Sequence, residues 1–406
     1  MRTLHEAAPD VLPEDLAPAA RPLGGGAAMT GPGTTQSAVS RGQQTRAGRA
    51  GAVRFAAGRA LPLLVRGRGS GGARPAFSAD ALRALRARHG GAPVLVRGLS
   101  GAVLVLLDRQ ELRQFYETEP VAALSPGPDA VRPCAAVRAV VAEEARHLTA
   151  AATLDLARAR QAVARAARRI VLGDGAAAAA GAAAAAAAGG GQPAGLFGRL
   201  RRRGAADGGH TLLGRSAACA DREEQALRAM DGIPATMLRT LLLLAAHPAE
   251  LDAAAAEAAG STAAGELPRL RACVRECLRL YPAVPDLVRV TRTETEWRGV
   301  RHPAGTTVLL PAHFHQRDPE HVPAAHVFVP GRWKTPGADE DIRMAPFGHG
   351  PGRCPGDRLG LLITTALCAE VLRRRRITAT RPVLDPPGPL PVALDPRGIR
   401  LTLTRR

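Results

Sequence analysis

Phe347-Gly348-His349-Gly350-Pro351-Gly352-Arg353-Cys354-Pro355-Gly356 is the stretch whose reading decides the fold. Glycines surround a single cysteine, and an apolar run follows at once: Leu359, Leu361, Leu362, Ile363, Leu367, Val371 and Leu372. That run has the pattern of a buried helix. A cysteine at the mouth of a helix N-terminus meets free N–H groups and the positive end of the dipole, so the Cys354 thiol is expected to be held ionised. Such a thiolate suits a metal ligand better than a core thiol. Gly350, Gly352 and Gly356 allow the backbone to approach something large and flat. The bland reading is a buried free cysteine beside a glycine-rich turn. The spacing Phe-x-x-Gly-x-x-x-Cys-x-Gly favours the ligand.

The loop resembles the haem-binding loop of the cytochrome P450 superfamily, whose cysteine thiolate is the fifth ligand of haem iron and pushes electron density onto it. The resemblance runs over roughly residues 80–406, strongly in the last third and weakly before it. It implies a mainly α fold with small β-sheets and haem b (iron protoporphyrin IX) as cofactor. It assigns Phe347, Gly350, Arg353, Cys354 and Gly356 to cofactor binding, with Cys354 as the metal ligand.

Other parts of the resemblance stand in the same order along the chain. Arg275-Glu276-Cys277-Leu278-Arg279 lies on a helix-like run ending at Tyr281-Pro282. Glu276 and Arg279, three residues apart, share one helix face. In the family such a pair locks an arginine from a Phe-x-Pro-x-Arg-Trp segment, here Phe328-Val329-Pro330-Gly331-Arg332-Trp333. Glu-x-x-Arg alone is uninformative in this chain, since it recurs at Glu143/Arg146, Glu266/Arg269 and Glu370/Arg373. The order carries the weight, and it makes Glu276, Arg279 and Arg332 a structural triad. The alternative for each piece is an ordinary surface ion pair.

Between them, Leu287–Glu294, Trp297–Val300 and Thr306–Leu310 read as short strands and a hairpin broken by Gly and Pro. The resemblance places Arg289 where an arginine pairs with a haem propionate. A guanidinium fork suits a carboxylate, and an exposed strand arginine is the alternative. His313 and His315, two residues apart, lack a third ligand at a recognised metal spacing and read as structural.

Composition frames these motifs. The chain has 406 residues, of which 46% are hydrophobic but only 3% aromatic, so aliphatic side chains must fill the core. One lysine, Lys334, stands against 54 arginines, a bias of GC-rich coding more than of function. The net charge of +19 invites a nucleic-acid reading. The arginines are spread through helices and turns without aromatic interleaving, which argues against base stacking. A basic face that docks an acidic electron carrier fits better. The six cysteines show no secreted framework and point to a reducing cytoplasm. Cys273 and Cys277 read as small core residues. No apolar run reaches the ~20 residues of a membrane span, and no signal-peptide core opens the chain.

Along the chain, residues 1–75 are basic and rich in Gly, Pro and Ala. They read as disordered or loosely attached, or in part as the product of an upstream start codon. The haem domain is expected over 76–406. Ala79–His89 reads as a helix, Ala92–Gly98 and Ala102–Leu107 as a hairpin, Asp108–Tyr116 as a helix, and 131–172 as helical throughout. Gly175–Gly191, almost pure alanine and glycine, is low complexity: a helix with nothing to bury or a linker. Glu223–Ala246 reads as the long central helix, stopped by His247-Pro248.

Three departures from the family follow. Its central helix carries an acid and then a threonine that deliver protons to oxygen. Counting back from His247-Pro248 puts Asp231 at the acid and Gly232 at the alcohol, with Pro234 expected to kink the helix. Asp231, with Thr236 one turn on as a substitute through water, are the catalytic candidates. The position two before the cysteine, usually a propionate-binding Arg or His, is Gly352, with Arg353 beside it as a substitute. The segment between Tyr116 and Arg168 looks roughly 35 residues short, and 175–225 is short as well. The fold is thus expected to be shortened between its second and third, and its sixth and seventh, family helices (the B–C and F–G regions). Arg138, Arg146 and His147 are candidate replacements for haem-contacting residues lost there.

The resulting expectation is a cytoplasmic, bacterial-type haem-thiolate monooxygenase. It would oxidise a small apolar molecule with O₂ and electrons from a ferredoxin and its reductase. A haem-binding relative without turnover and a peroxide-dependent variant are the rival expectations.

Overall fold

A computed structural model describes residues 75–98, 101–117, 134–172, 230–261, 266–354, 356–386 and 388–406. The N-terminal 1–74 and the alanine-glycine stretch lie outside the described residues, as do residues 118–133 of the first segment expected to be shortened and the whole of the second, 175–225.

The first helix, α1 (Ala79–His89), begins where Ser78 Oγ accepts the Ala81 N–H and ends where Gly90 adopts a left-handed conformation at φ 59°. These are the caps that satisfy orphan helix groups. Asp80 in its first turn and Arg86, Arg88 and His89 in its last complement the dipole. Strands β1 (Val94–Gly98) and β2 (Gly101–Val105) form the expected hairpin, and α2 (Arg109–Glu117) follows.

The stretch expected to be one helical block is two helices with a strand between them: α3 (Cys134–Ala150), β3 (Thr153–Asp155) and α4 (Leu156–Leu172). The break has a long-range cause. Thr153–Asp155 pairs antiparallel with Arg400–Thr402, on the last strand of the chain, and that pairing outweighs local helix propensity.

The central helix also departs from its expected bounds. A single 3₁₀ turn at Met230–Gly232 leads into α5 (Ile233–Ala246), while 223–229 lie outside the described residues. Pro234 therefore sits in the first turn, where no intrahelical N–H is needed. It opens the helix instead of kinking it. The rest of α5 is buried nearly all round, as befits a helix apolar on every face.

Two more helices, α6 (Pro248–Gly260) and α7 (Pro268–Leu280), precede the sheet region of β4 (Leu287–Val290), β5 (Thr295–Trp297), β6 (Val300–His302) and β7 (Thr307–Leu310). β5 and β6 are joined by Arg298 and Gly299, both at positive φ (49° and 79°), the two-residue turn that a twisted hairpin prefers. A short helix, α8 (Ala312–His315), comes next. The chain closes with α9 (Asp357–Arg374), β8 (Arg375–Arg381) and β9 (Arg400–Arg405).

One sheet has the order β1-β2-β7-β4, and a second has the order β3-β9-β8. The β2–β7 pairing is parallel and brings residues 103–105 against 307–309. The main core lies among α3, α4, α5, α7 and α9 and is filled by leucine, valine and alanine. Small alanines let helices approach closely, which compensates for the shortage of aromatics. Among the described residues no helix is long and apolar enough to cross a membrane.

Candidate haem-thiolate site

The cysteine loop is held by its own backbone. Cys354 N–H donates to the Phe347 carbonyl at 2.8 Å, Arg353 N–H to Gly350 at 3.1 Å, and Asp357 N–H to Cys354 at 3.3 Å. Gly350–Gly352 make one 3₁₀ turn between them. Gly348 and Gly350 have φ of 76° and 62°, the left-handed region that excludes most side chains. A Cβ at Gly350 would also collide with the Tyr116 carbonyl oxygen of α2.

Cys354 differs from the other described thiols. Cys273, Cys277 and Cys368 are fully buried among the core helices, whereas Cys354 is only half-buried. Cys277 and Cys368 spend their S–H groups on the Thr236 and Met237 carbonyls of α5. Of these four, Cys354 alone offers a sulfur to a group outside the protein core, which fits a thiolate ligand for haem iron.

Its protonation departs from expectation. Burial pushes the Cys354 thiol above the ordinary range, against the lowering by the Gly356 N–H, and Asp357 adds to the rise. Helix α9 begins only at Asp357, so the dipole acts from a distance and against an acid. A coordinated cation deprotonates a thiol outright, so ionisation of Cys354 would have to come from a bound metal rather than from the helix.

A hydrogen-bonded carboxylate supports the chain leading to this loop. Glu276 on α7 is 0% exposed. Its Oε1 accepts from Arg279 Nη2 at 2.8 Å, the Val329 N–H at 3.0 Å and Arg332 Nε at 3.2 Å. Its Oε2 accepts from Arg279 Nε at 3.0 Å and the Trp333 indole N–H at 2.9 Å. Arg279, also 0% exposed, passes its other N–H groups to the carbonyls of Gln316, Ala325 and Val327. Arg332 Nη2 reaches Pro323 and Ala324. A buried charge of this kind is tolerable only with its partners in place. The indole donor was not among the residues expected to carry this role, although Trp333 stands next to Arg332 in the quoted segment.

Arg289 lies half-buried on β4 and donates from Nη1 to the Val288 carbonyl at 3.0 Å. Burial lowers its pKa, and the nearby Tyr116 offsets this in part. Arg353 turns along α9, with its Nε 2.7 Å from Asp357 Oδ2. Phe347 packs beside Val274, Leu278 and Leu361.

On α5 the two acid-base candidates occupy different settings. Asp231 is exposed in the 3₁₀ turn. Thr236 is 4% exposed, and its hydroxyl donates to the Gly232 carbonyl at 2.9 Å. Arg138 lies half-buried on α3, and Arg146 and His147 are exposed there.

His313 and His315 are both buried and hydrogen-bonded to backbone, His313 Nδ1 with Pro285 O and His315 Nε2 with Leu106 O, each at 3.1 Å. The described residues bring a different trio within ligand distance of one another: Asp318, Glu320 and His321. Arg86 already pairs with both acids, and His321 Nδ1 lies 2.8 Å from Asp318. That cluster is a closed ion-pair network.

Comparison with known proteins matches residues 230–403 to the family model "Cytochrome P450". Over 148 residues the chain is 38% identical to the cyclooctat-9-en-7-ol 5-monooxygenase of Streptomyces melanosporofaciens, covering 32% of each protein. Over 144 residues it is 36% identical to rat cytochrome P450 3A9, covering 33% of this chain and 29% of that protein. Over 180 residues it is 32% identical to the mouse mitochondrial 25-hydroxyvitamin D-1 alpha hydroxylase, covering 42% and 34%. The chain thus aligns with about a third of the length of these curated relatives. A zebrafish cytochrome P450 solved with abiraterone superposes with a TM-score of 0.54 at 17% identity, over 80% of this chain and 98% of that one. That likeness speaks for the fold.

Proposed function

This chain belongs to the cytochrome P450 superfamily, and from that premise we propose that it is a haem-thiolate monooxygenase acting on a small apolar molecule. The observation that carries this reading is the half-buried Cys354, set in a hydrogen-bonded glycine loop at the foot of α9 while the other described thiols are sealed in the core. Haem, when bound, supplies the activation of O₂, and the protein supplies ligation, orientation and electrostatics.

In this reading Cys354 would ligate the haem iron, and Phe347, Gly350, Arg353 and Gly356 would shape the loop around it. Arg289 neutralises a propionate. Glu276, Arg279, Arg332 and Trp333 hold the preceding chain so that the sulfur keeps its position. Electrons come from a small acidic carrier of the ferredoxin type with its reductase, drawn to a basic face by a charge of +19. A bacterial cytoplasm suits six cysteines without a paired framework.

A second reading is favoured by one observation. The Thr236 hydroxyl is committed to Gly232 O, and the alcohol position itself is a glycine. Proton delivery from this helix is then weak, and a peroxide-driven reaction, or haem binding without turnover, becomes the alternative.

The test is the absorption spectrum of the reduced, carbon-monoxide-bound protein. A Soret band near the thiolate position, lost in Cys354→Ala, supports the reading. An unchanged band in that variant would falsify it. Product formed with peroxide but with no electron donor selects the peroxide variant. Substrate uptake without oxidation under any donor selects the non-catalytic relative.

A further inference from the structure

Gln316 joins two parts of the molecule. It ends the short helix α8, where its backbone N–H donates to Ala312 O at 2.9 Å, and it is 3% exposed. Its backbone carbonyl accepts Arg279 Nη1 at 2.8 Å, which ties it to the buried Glu276–Arg279 pair. Its side-chain Nε2 donates to the Ala345 carbonyl at 3.0 Å, 29 residues later in the chain.

Ala345 stands at the entrance to the cysteine loop. The same carbonyl accepts the Gly348 N–H at 3.0 Å, which closes a turn around Phe347, and Phe347 O accepts the Cys354 N–H at 2.8 Å. The bonds Ala345–Gly348, Gly350–Arg353 and Phe347–Cys354 are all internal to the loop. Gln316 supplies one from a distant part of the chain. A path of hydrogen bonds thus runs from Glu276 through Arg279 and Gln316 to the turn that presents Cys354.

The amide is held in this orientation at a cost. Its Oε1 is buried and has no hydrogen-bond partner among the described residues. An unsatisfied buried amide oxygen is uncommon and calls for an explanation. Turning the amide over would set Oε1 against the Ala345 carbonyl, acceptor against acceptor. Nor does the Ala345 carbonyl need Gln316 to be satisfied, since the Gly348 N–H already serves it. The bond is therefore positional.

We propose that Gln316 is a positioning residue for the thiolate: through Nε2 it fixes the Ala345–Gly348 turn, and with it the setting of the Cys354 sulfur toward haem iron. This rests on the haem-thiolate reading above. It adds a residue that belongs neither to the carboxylate network nor to the loop.

The experiment follows the reduced, carbon-monoxide-bound protein in dilute urea and times the loss of its thiolate-type Soret band. Wild type, Gln316→Met and Gln316→His are compared. Methionine keeps the length and removes the N–H, whereas histidine can return an N–H to Ala345 O. Gln316→Met should lose the band about 5-fold faster, the worth of one ordinary hydrogen bond. Gln316→His should decay at close to the wild-type rate. The urea midpoint of Gln316→Met should match wild type, because Ala345 O keeps its Gly348 partner and the unsatisfied Oε1 is gone. Equal decay in wild type and Gln316→Met overturns the proposal. So does equal acceleration in both variants, which would mean that side-chain shape matters and the N–H does not. A Gln316→Met protein that does not fold, or whose decay rises only in step with a lowered urea midpoint, makes Gln316 a general support of the fold and overturns it too. A wild type that takes up haem without a thiolate-type band overturns the haem-thiolate reading itself, before any variant is compared.

Discussion

Trp333 donates its indole N–H to Glu276 Oε2 at 2.9 Å, on the oxygen that also receives Arg279 Nε. The carboxylate is therefore held from three elements: α7, the 328–329 backbone, and the 3₁₀ turn Pro330–Lys334. Glu276→Ala strands two guanidinium groups, one of them fully buried, and should cost ~3–5 kcal/mol. Trp333→Phe keeps the ring and removes one N–H to a charged acceptor, and should cost about 1–3 kcal/mol. Urea unfolding of the three proteins measures both. A Glu276→Ala variant that unfolds at the wild-type midpoint removes any stabilising role for the network.

A second buried assembly anchors the C-terminal segment. Tyr281 lies between two cations, Arg239 at 5.8 Å and Arg317 at 5.5 Å from its ring centre. Arg317 donates to the carbonyls of Leu390, Pro391 and Val392, Tyr281 Oη to Pro391, and Arg239 Nε to Leu394. Burial lowers the pKa of both arginines, so they are stacked and bonded rather than free in solvent. Arg317→Met should leave the segment's carbonyls unsatisfied, at a cost of about 2 kcal/mol or more. Limited proteolysis should then cut first between residues 382 and 394. Wild-type cleavage kinetics in the variant would count against the clamp.

His315 couples folding to pH. Its Nε2 bonds to the Leu106 carbonyl, and burial depresses its pKa to about 4. In the unfolded chain it titrates near ~6.5. Between these values the unfolded state binds the extra proton and the native state does not. The stability is therefore present above pH ~6.5 and is lost as pH falls toward 4, by on the order of 2–3 kcal/mol. His315→Gln can keep a donor toward Leu106 and has nothing to titrate. Its stability should fall less than that of wild type between pH 7 and 4.5. Parallel pH curves for the two proteins would show that His315 contributes nothing to this dependence.

The parts of this architecture legible in the sequence are those written in local chemistry. The Ser78 cap, the Gly90 stop and the apolar face of α1 lie within a dozen residues. The cysteine loop and the Arg-Trp segment are likewise continuous stretches. What escaped reading depends on contacts between distant positions. Thr153–Asp155 is a strand because Arg400–Thr402 lies beside it. Arg298 bonds to Glu111 and Asp108 across roughly the middle of the chain. Tyr116 sits on Gly350 with no motif to announce it. The protonation of the unligated Cys354 thiol depends on distant contacts too. The dipole is a local inference, whereas burial, which raises the Cys354 pKa, is set by everything packed around the loop.

Oxygen activation should be poorly coupled. Reductive cleavage of O₂ with insertion of one atom consumes two electrons and two protons, and releases the other atom as water. General acid assistance to such a step is worth ~10²–10⁴-fold. In this chain Asp231 is exposed, the next residue is Gly232, and the Thr236 hydroxyl already donates to Gly232 O. Most of the electrons supplied should therefore end as peroxide or water. Gly232 has φ −79° and ψ −19°, a conformation that any residue can adopt, so a threonine fits the backbone there. Gly232→Thr should raise product formed per NAD(P)H consumed, measured with a substrate found by screening, and adding Asp231→Asn in that background should reverse the gain. Tight coupling in the wild type, undiminished in Asp231→Asn, would mean that protons enter by another route and that this helix turn does not serve oxygen chemistry.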